Sequence, residues 1–138
     1  MGSSNIEEIN TSSKPPKPLK PEDKPFEEFI THDFIPGLNN ALTKIGFPPD
    51  NLLLKEADRP VTGGMCWIVS GQLPKGRRFW LCFSSNKITS SKVVALAEEG
   101  AEPTVLESFL IDERKITLAL LISRLLQRLN GQKWLGAN

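Results

Sequence analysis

Residues 65–85 set the tightest constraint on this chain. "MCWIVSGQL" (Met65–Leu73) and "RRFWLCFSS" (Arg77–Ser85) are two apolar arms on either side of Pro74-Lys75-Gly76. Proline presets a turn dihedral and glycine supplies positive φ, so the stretch reads as a β-hairpin. Both arms are apolar on both faces near their centres. A strand with one wet face alternates; a strand apolar on both is an inner strand, covered by helices on one face and at least partly covered on the other.

The neighbouring segments supply the rest of the sheet. "NLLLKEA" (Asn51–Ala57) reads as a strand before the hairpin. "KVVALA" (Lys92–Ala97) reads as one after it, across the polar loop "NKITSS". Four strands joined by short links predict an antiparallel meander. Ahead of them, Phe26, Ile30, Phe34, Leu38, Ala41, Leu42 and Ile45 keep helical spacing through Lys24–Gly46. Asp23 is the expected cap, Pro36-Gly37 the expected kink, or the join of two helices on one line, and Gly46 the stop. After the break at "GAEP", Thr104–Phe109 is expected to make a short helical turn, and Asp112 to cap the longest helix. Leu118, Leu121, Ile122, Leu125, Leu126 and Leu129 form its buried stripe. Asn130-Gly131 is the expected left-handed end. The fold class is α+β: a four-stranded, mostly antiparallel sheet with an N-terminal and a long C-terminal helix packed on it.

With 138 residues the chain fits one domain, large enough to fold without a disulfide or metal. Residues 1–24 are set apart by "SSKPPKPLKPEDKP", where prolines alternate with lysines. Such a block builds neither helix nor ladder, and it reads as a disordered arm with polyproline II character, serving as a linker or as a docking arm. The single α+β domain is expected over 25–138. Met1–Ser13 is polar and holds two glutamates, the signature of neither a secretory signal nor a transit peptide.

Seventeen basic and sixteen acidic residues give a net charge of +1. That balance argues against bulk binding to nucleic acid or to a membrane surface. Catalytic and metal-ligating patterns are sparse. His32 has no histidine or cysteine one helical turn away. Cys66 and Cys82 fall on neighbouring inner strands as buried thiols, without the C-x₂-C spacing of a zinc site. "VTGGM" (Val61–Met65) leads into a strand rather than out of one into a helix, so it is not a phosphate loop. Asp112 and Glu113 suit a helix N-terminus. No cofactor and no metal are expected, and the chain is not expected to be an enzyme.

The remaining features point to contact surfaces. Lys75, Arg77 and Arg78 concentrate positive charge at the hairpin tip, as a solvated turn or as a docking point for an acidic partner. Ile116 and Leu120 lie off the leucine stripe, on the side of the last helix that also carries Ser123 and Gln127. Either the Thr104–Ile111 segment or another subunit would cover them. Trp134 sits in "QRLNGQKWLGAN", on a chain end that would ordinarily fray. It is either a lid folded back on the core or an anchor for a neighbour.

At "SFLIDERKITL" and "QRLNGQKWL" the chain resembles a known family: subunit V (NdhV) of the photosynthetic complex-I-like NAD(P)H dehydrogenase of cyanobacteria and chloroplasts. "PFEEFI", "DFIP", "ESFLIDERK" (Glu107–Lys115) and "RLNGQKWL" (Arg128–Leu135) carry the likeness, which runs over some 115 residues to the C-terminus. The resemblance implies a non-catalytic accessory subunit of a complex that passes electrons from ferredoxin to plastoquinone in cyclic electron flow. Such a subunit is peripheral, on the cytoplasmic side of the thylakoid membrane, and touches the membrane only through its complex. Its implied partners are the iron–sulfur subunit I and the ferredoxin-docking subunit S, with ferredoxin a candidate direct partner of Lys75, Arg77 and Arg78. A cyanobacterial source fits the missing transit peptide. Two other readings stand beside this one. The first is a small-ligand-binding α+β domain with Trp67 or Trp80 lining a pocket between sheet and helices. The second is a single-stranded nucleic-acid binder stacking bases on Phe79 or Trp80.

Overall fold

The structure, a computed structural model, describes residues 20–61, 63–103 and 106–135. Most of the expected proline-rich arm lies outside these residues. The chain enters with a 3-10 turn, Pro21–Asp23. A helical rod follows: α1 (Phe26–Phe29), a π-helical turn (Ile30–Phe34) and α2 (Ile35–Lys44). The sheet comprises β1 (Asp50–Asp58), β2 (Met65–Leu73), β3 (Arg77–Phe83), β4 (Lys92–Ala97) and β5 (Leu106–Ser108). Helix α3 (Leu118–Gly131) closes the fold.

All neighbouring strands are antiparallel, in the order β1-β2-β3-β4-β5. The meander therefore has five strands where the sequence predicts four. Leu106–Ser108, expected within a short helical turn, instead pairs with Val93–Ala95. A strand edge offers a row of unpaired N–H and C=O groups, and this outweighs the weak local preference of three residues. The hairpin at 65–83 forms as the sequence indicates, with Leu73 opposite Arg77 across Pro74-Lys75-Gly76.

Helices cover one face of the sheet. Leu52, Leu54, Trp67, Val69, Leu73, Phe79, Leu81, Phe83, Val94 and Leu96 join Phe29, Phe34, Leu38, Leu42 and the α3 stripe in one core. On the opposite face Cys66, Ile68 and Cys82 pack with Ala57, Trp80 and Val93, all of them sheet residues. Among the described residues that face has no second layer of helix, and its partial cover comes from the sheet's own side chains.

The caps differ from expectation in an informative way. Asp23 does not cap the first helix; its N-cap is Pro25, with no side-chain bond. Asp112 does not cap the last; Thr117 does, accepting from the Leu120 N–H at 3.1 Å. Ile116 precedes that cap and Leu121 follows it in the fourth helical position, the two sites of a hydrophobic staple, and both are buried. A second acceptor arrives from the other end of the chain: the Glu22 carboxylate takes the Leu118 N–H at 2.7 Å. The boundary expected after residue 24 thus falls among residues that already bond into the fold.

A π-helical turn lies just upstream of Pro36-Gly37, where the sequence predicts a kink or a join between helices. Ile35 N–H reaches back five residues to the Ile30 carbonyl. Pro36 has no N–H to give to the preceding turn and its ring crowds it, so that turn widens into a π segment. Gly37 has a separate purpose. A Cβ there would lie 2.8 Å from Ile122 Cδ1, so its small size lets α2 and α3 approach closely.

Candidate functional site

The C-terminal turn explains the buried tryptophan. α3 does not end at Asn130-Gly131 in a left-handed conformation; Gly131 stays helical and Lys133 takes the positive φ, 63°. Lys133 N–H bonds to the Asn130 carbonyl at 2.8 Å, and Trp134 N–H to the Leu129 carbonyl at 3.3 Å. This paired bonding is a Schellman motif, which brings the residue after the left-handed position back against the last helical turn. Here that residue is Trp134, 2 % exposed, with Leu129 and Leu135 in the same core. The lid arrangement is the one present.

Trp134 is also tied at its rim. Its indole N–H donates to Glu98 Oε2 at 2.7 Å, Arg77 Nε donates to Glu98 Oε1 at 3.1 Å, and the Arg77 guanidinium lies 5.5 Å from the indole centroid. The indole N–H first, and then Arg77, hold the Glu98 carboxyl below its ordinary value. Arg77 reaches the Trp134 carbonyl as well. Glu98 was not singled out from the sequence, although a signal existed. Arg78 pairs with Ala97, so one step further along that ladder Arg77 faces Glu98.

The three basic residues of the hairpin tip therefore have different settings. Lys75 is exposed at the apex, in a left-handed conformation. Arg77 is engaged with Glu98 and Trp134. Arg78 projects to the opposite face of the sheet, where its guanidinium donates to the Ala101 carbonyl and stacks 5.3 Å from the centre of the Trp80 ring. Of the two residues expected on the back of the last helix, Ile116 lies in the approach to α3 and is buried, while Leu120 lies on α3, half-buried against the core.

The two segments most distinctive in the sequence meet in space. Glu107 of β5 and Arg128 of α3 form a two-pronged ion pair, with Nε to Oε1 at 2.7 Å and Nη2 to Oε2 at 2.6 Å. Hydrogen bonding from Arg128 lowers the Glu107 pKa, and Glu107 in turn raises that of Arg128. Beside the pair a groove of about 290 Å³ is lined by Ser108, Phe109 and Leu110 from one segment, Arg128 and Gly131 from the other, and Arg124 and Gln127 from the preceding turns of α3.

The thiols and the buried amine have structural surroundings. Burial pushes the Cys66 thiol up and the Cys82 thiol up to about 12, so neither is an activated nucleophile. Lys92 is buried and donates to the Ile88 and Ser90 carbonyls, both at 2.8 Å, stapling the β3–β4 loop; burial lowers its pKa. Among the described residues no three His, Cys, Asp or Glu side chains gather into a metal-holding group. His32 is exposed. Trp67 and Trp80 do not share a pocket. Trp67 meets Phe26 edge-on at 5.7 Å on the helix face, and Trp80 lies on the opposite one. Phe79 is fully buried, so it offers no stacking platform.

Fold and surfaces together define a small α+β protein, a five-stranded meander with helices on one face and its most elaborate polar contacts at the C-terminal closure. Among the described residues no helix is long and apolar enough to cross a membrane. Residues 20–136 match the family described as "Protein of unknown function (DUF2996)", and the chain belongs to that family. No curated protein matches the sequence.

Proposed function

We propose that the chain is a non-catalytic accessory subunit of the ferredoxin-dependent photosynthetic complex I. It sits peripherally on the cytoplasmic side of the thylakoid membrane, against the iron–sulfur subunit I and the ferredoxin-docking subunit S. There it stabilises the ferredoxin-docking region of the hydrophilic arm and so supports cyclic electron flow to plastoquinone. The observation that carries the reading is the junction of the two segments most characteristic of the resemblance. Glu107–Lys115 and Arg128–Leu135 lie on different elements, and the Glu107–Arg128 pair locks them into one surface beside an open groove. A fixed surface of this kind suits a subunit that is held by neighbours, and Lys75 at the exposed hairpin apex adds charge for an acidic one.

The test is genetic and biochemical together. A strain lacking the gene should show slowed post-illumination plastoquinone reduction, and the tagged chain should co-purify with the complex. Normal plastoquinone reduction in the deletion strain under strong light would sink the proposal.

A further inference from the structure

The face of the sheet turned away from the helices carries a second, independent surface. Its apolar centre is made of sheet residues alone, and no helix among the described residues packs on it. Toward the β1 edge this centre opens into a groove of about 170 Å³ around Trp80. Asn51, Leu53, Lys55, Gln72, Arg78 and Trp80 are among the residues that line the groove. Its charged residues are Lys55 and Arg78, both cations. Asp50, which the register sets opposite Gln72 beyond the β1 bulge, does not line it.

The chemistry of the groove is specific. Arg78 is already fixed, with one N–H donating to the Ala101 carbonyl and its plane over the indole of Trp80. A guanidinium held in this way keeps further donors for a carboxylate and loses little freedom on meeting one. Leu53 is 41 % exposed, and Lys55 is exposed beside it. Half-buried Trp80, exposed Leu53 and two flanking cations form an apolar patch with a positive rim in a chain whose overall charge is only +1. Aromatic and arginine residues are the usual anchors of protein interfaces.

We propose that this open sheet face, centred on Trp80 and Arg78 with Lys55 and Leu53, is a docking surface for an acidic protein. The partner places carboxylates against Arg78 and Lys55 and an apolar side chain on Trp80 and Leu53. The surface rests on the accessory-subunit reading only for the choice of probe, a plant-type [2Fe–2S] ferredoxin.

Amide spectra of the ¹⁵N-labelled full chain are recorded with increasing ferredoxin at low and high salt. Expected are shifts centred on Leu53, Lys55, Ser70 and Trp80, with binding at least about tenfold weaker in high salt as exposed charges are screened. Lys55→Glu and Leu53→Asp replace exposed side chains and should leave the spectrum folded. Each should weaken binding by about tenfold or more, and Lys75→Glu by less than about threefold, on the scale of lost interface contacts. Shifts centred on Lys75–Gly76, binding indifferent to Lys55→Glu, or no binding at low salt would overturn the proposal. So would shifts at Trp80 produced equally by free glutamate, which would make the groove a small-anion site. Co-purification of the same variants with the membrane complex separates the two readings. A chain held in the complex but blind to ferredoxin overturns this surface alone. A chain that binds ferredoxin through Trp80 but never joins the complex supports the surface and overturns the subunit reading.

Discussion

Trp134→Ala tests whether the C-terminal closure is part of the fold. The side chain is 2 % exposed and packs in the main core with Leu129 and Leu135. Truncating a buried tryptophan to alanine costs about 3–5 kcal/mol, the sum of lost transfer energy and the cavity left behind. The polar contacts add less. Glu98 has a side chain 56 % exposed, so its carboxylate regains water when the indole N–H is removed, and the net loss there is small beside the apolar one. The Arg77–indole stacking contributes about 0.5–1 kcal/mol at a partly exposed site. The apolar term therefore dominates, and Trp134→Phe should cost less than half as much as the alanine variant. Urea unfolding at neutral pH reads both. With a urea slope of about 1.5–2 kcal/mol per molar, the alanine variant's midpoint should fall by about 2 M with little change of slope. A loss below about 1 kcal/mol for Trp134→Ala would refute the lid and make the ring an anchor for something outside the chain.

Further outcomes follow from individual contacts. Lys133→Gly should stabilise the protein by about 0.5–1 kcal/mol, because the left-handed position costs a side chain more than glycine loses in unfolded-state freedom; a destabilised variant in urea would contradict the Schellman assignment. Glu22→Ala should cost about 1 kcal/mol and speed hydrogen exchange at the Leu118 amide, while unchanged exchange there would remove Glu22 as a cap. Glu107→Gln should matter at neutral pH and not in acid. The folded pKa of Glu107 lies below its ordinary 4.5, so the contribution of its pair with Arg128 is complete above that value and is lost as pH falls through the folded one. The pair is partly exposed, which limits the difference from wild type to about 1 kcal/mol. An equal difference at pH 7 and pH 3 would contradict it.

The strands and the hairpin were legible because their signals are local: apolar runs of strand length, and turn residues between them. β5 was not, because three residues carry no period; what makes Leu106–Ser108 a strand is the waiting edge of β4. The helix ends were misread for the same physical reason. A polar residue just before a helix is a cap only if nothing better reaches it, and Glu22 reaches α3 from 96 positions away. Asn130-Gly131 has the strongest local preference for a left-handed end. Lys133 takes that conformation instead, because only a later turn delivers Trp134 onto Leu129. Charges were the hardest to place. Three cations in four positions read as one basic tip, but Arg77 and Arg78 are strand neighbours and so face opposite sides, one to Glu98 and Trp134, the other to Trp80.

That alternation connects the sequence to the proposed surface. β2 and β3 are apolar on both faces, and such strands ordinarily call for a layer on each side. The rod of α1 and α2, together with α3, supplies one layer only. On the other face the chain keeps its centre small and mostly buried, with Cys66, Ile68, Cys82 and Ala95 all under 5 % exposed. It leaves the larger groups, Trp80, Leu53 and Lys55, at the margin toward β1. A face that served only as solvent-exposed sheet would place polar residues at those central positions. One that is apolar at its centre, cationic at its margin and uncovered by any helix among the described residues has the composition of half an interface, and Arg78, held over Trp80, is the group in it best prepared to meet a carboxylate.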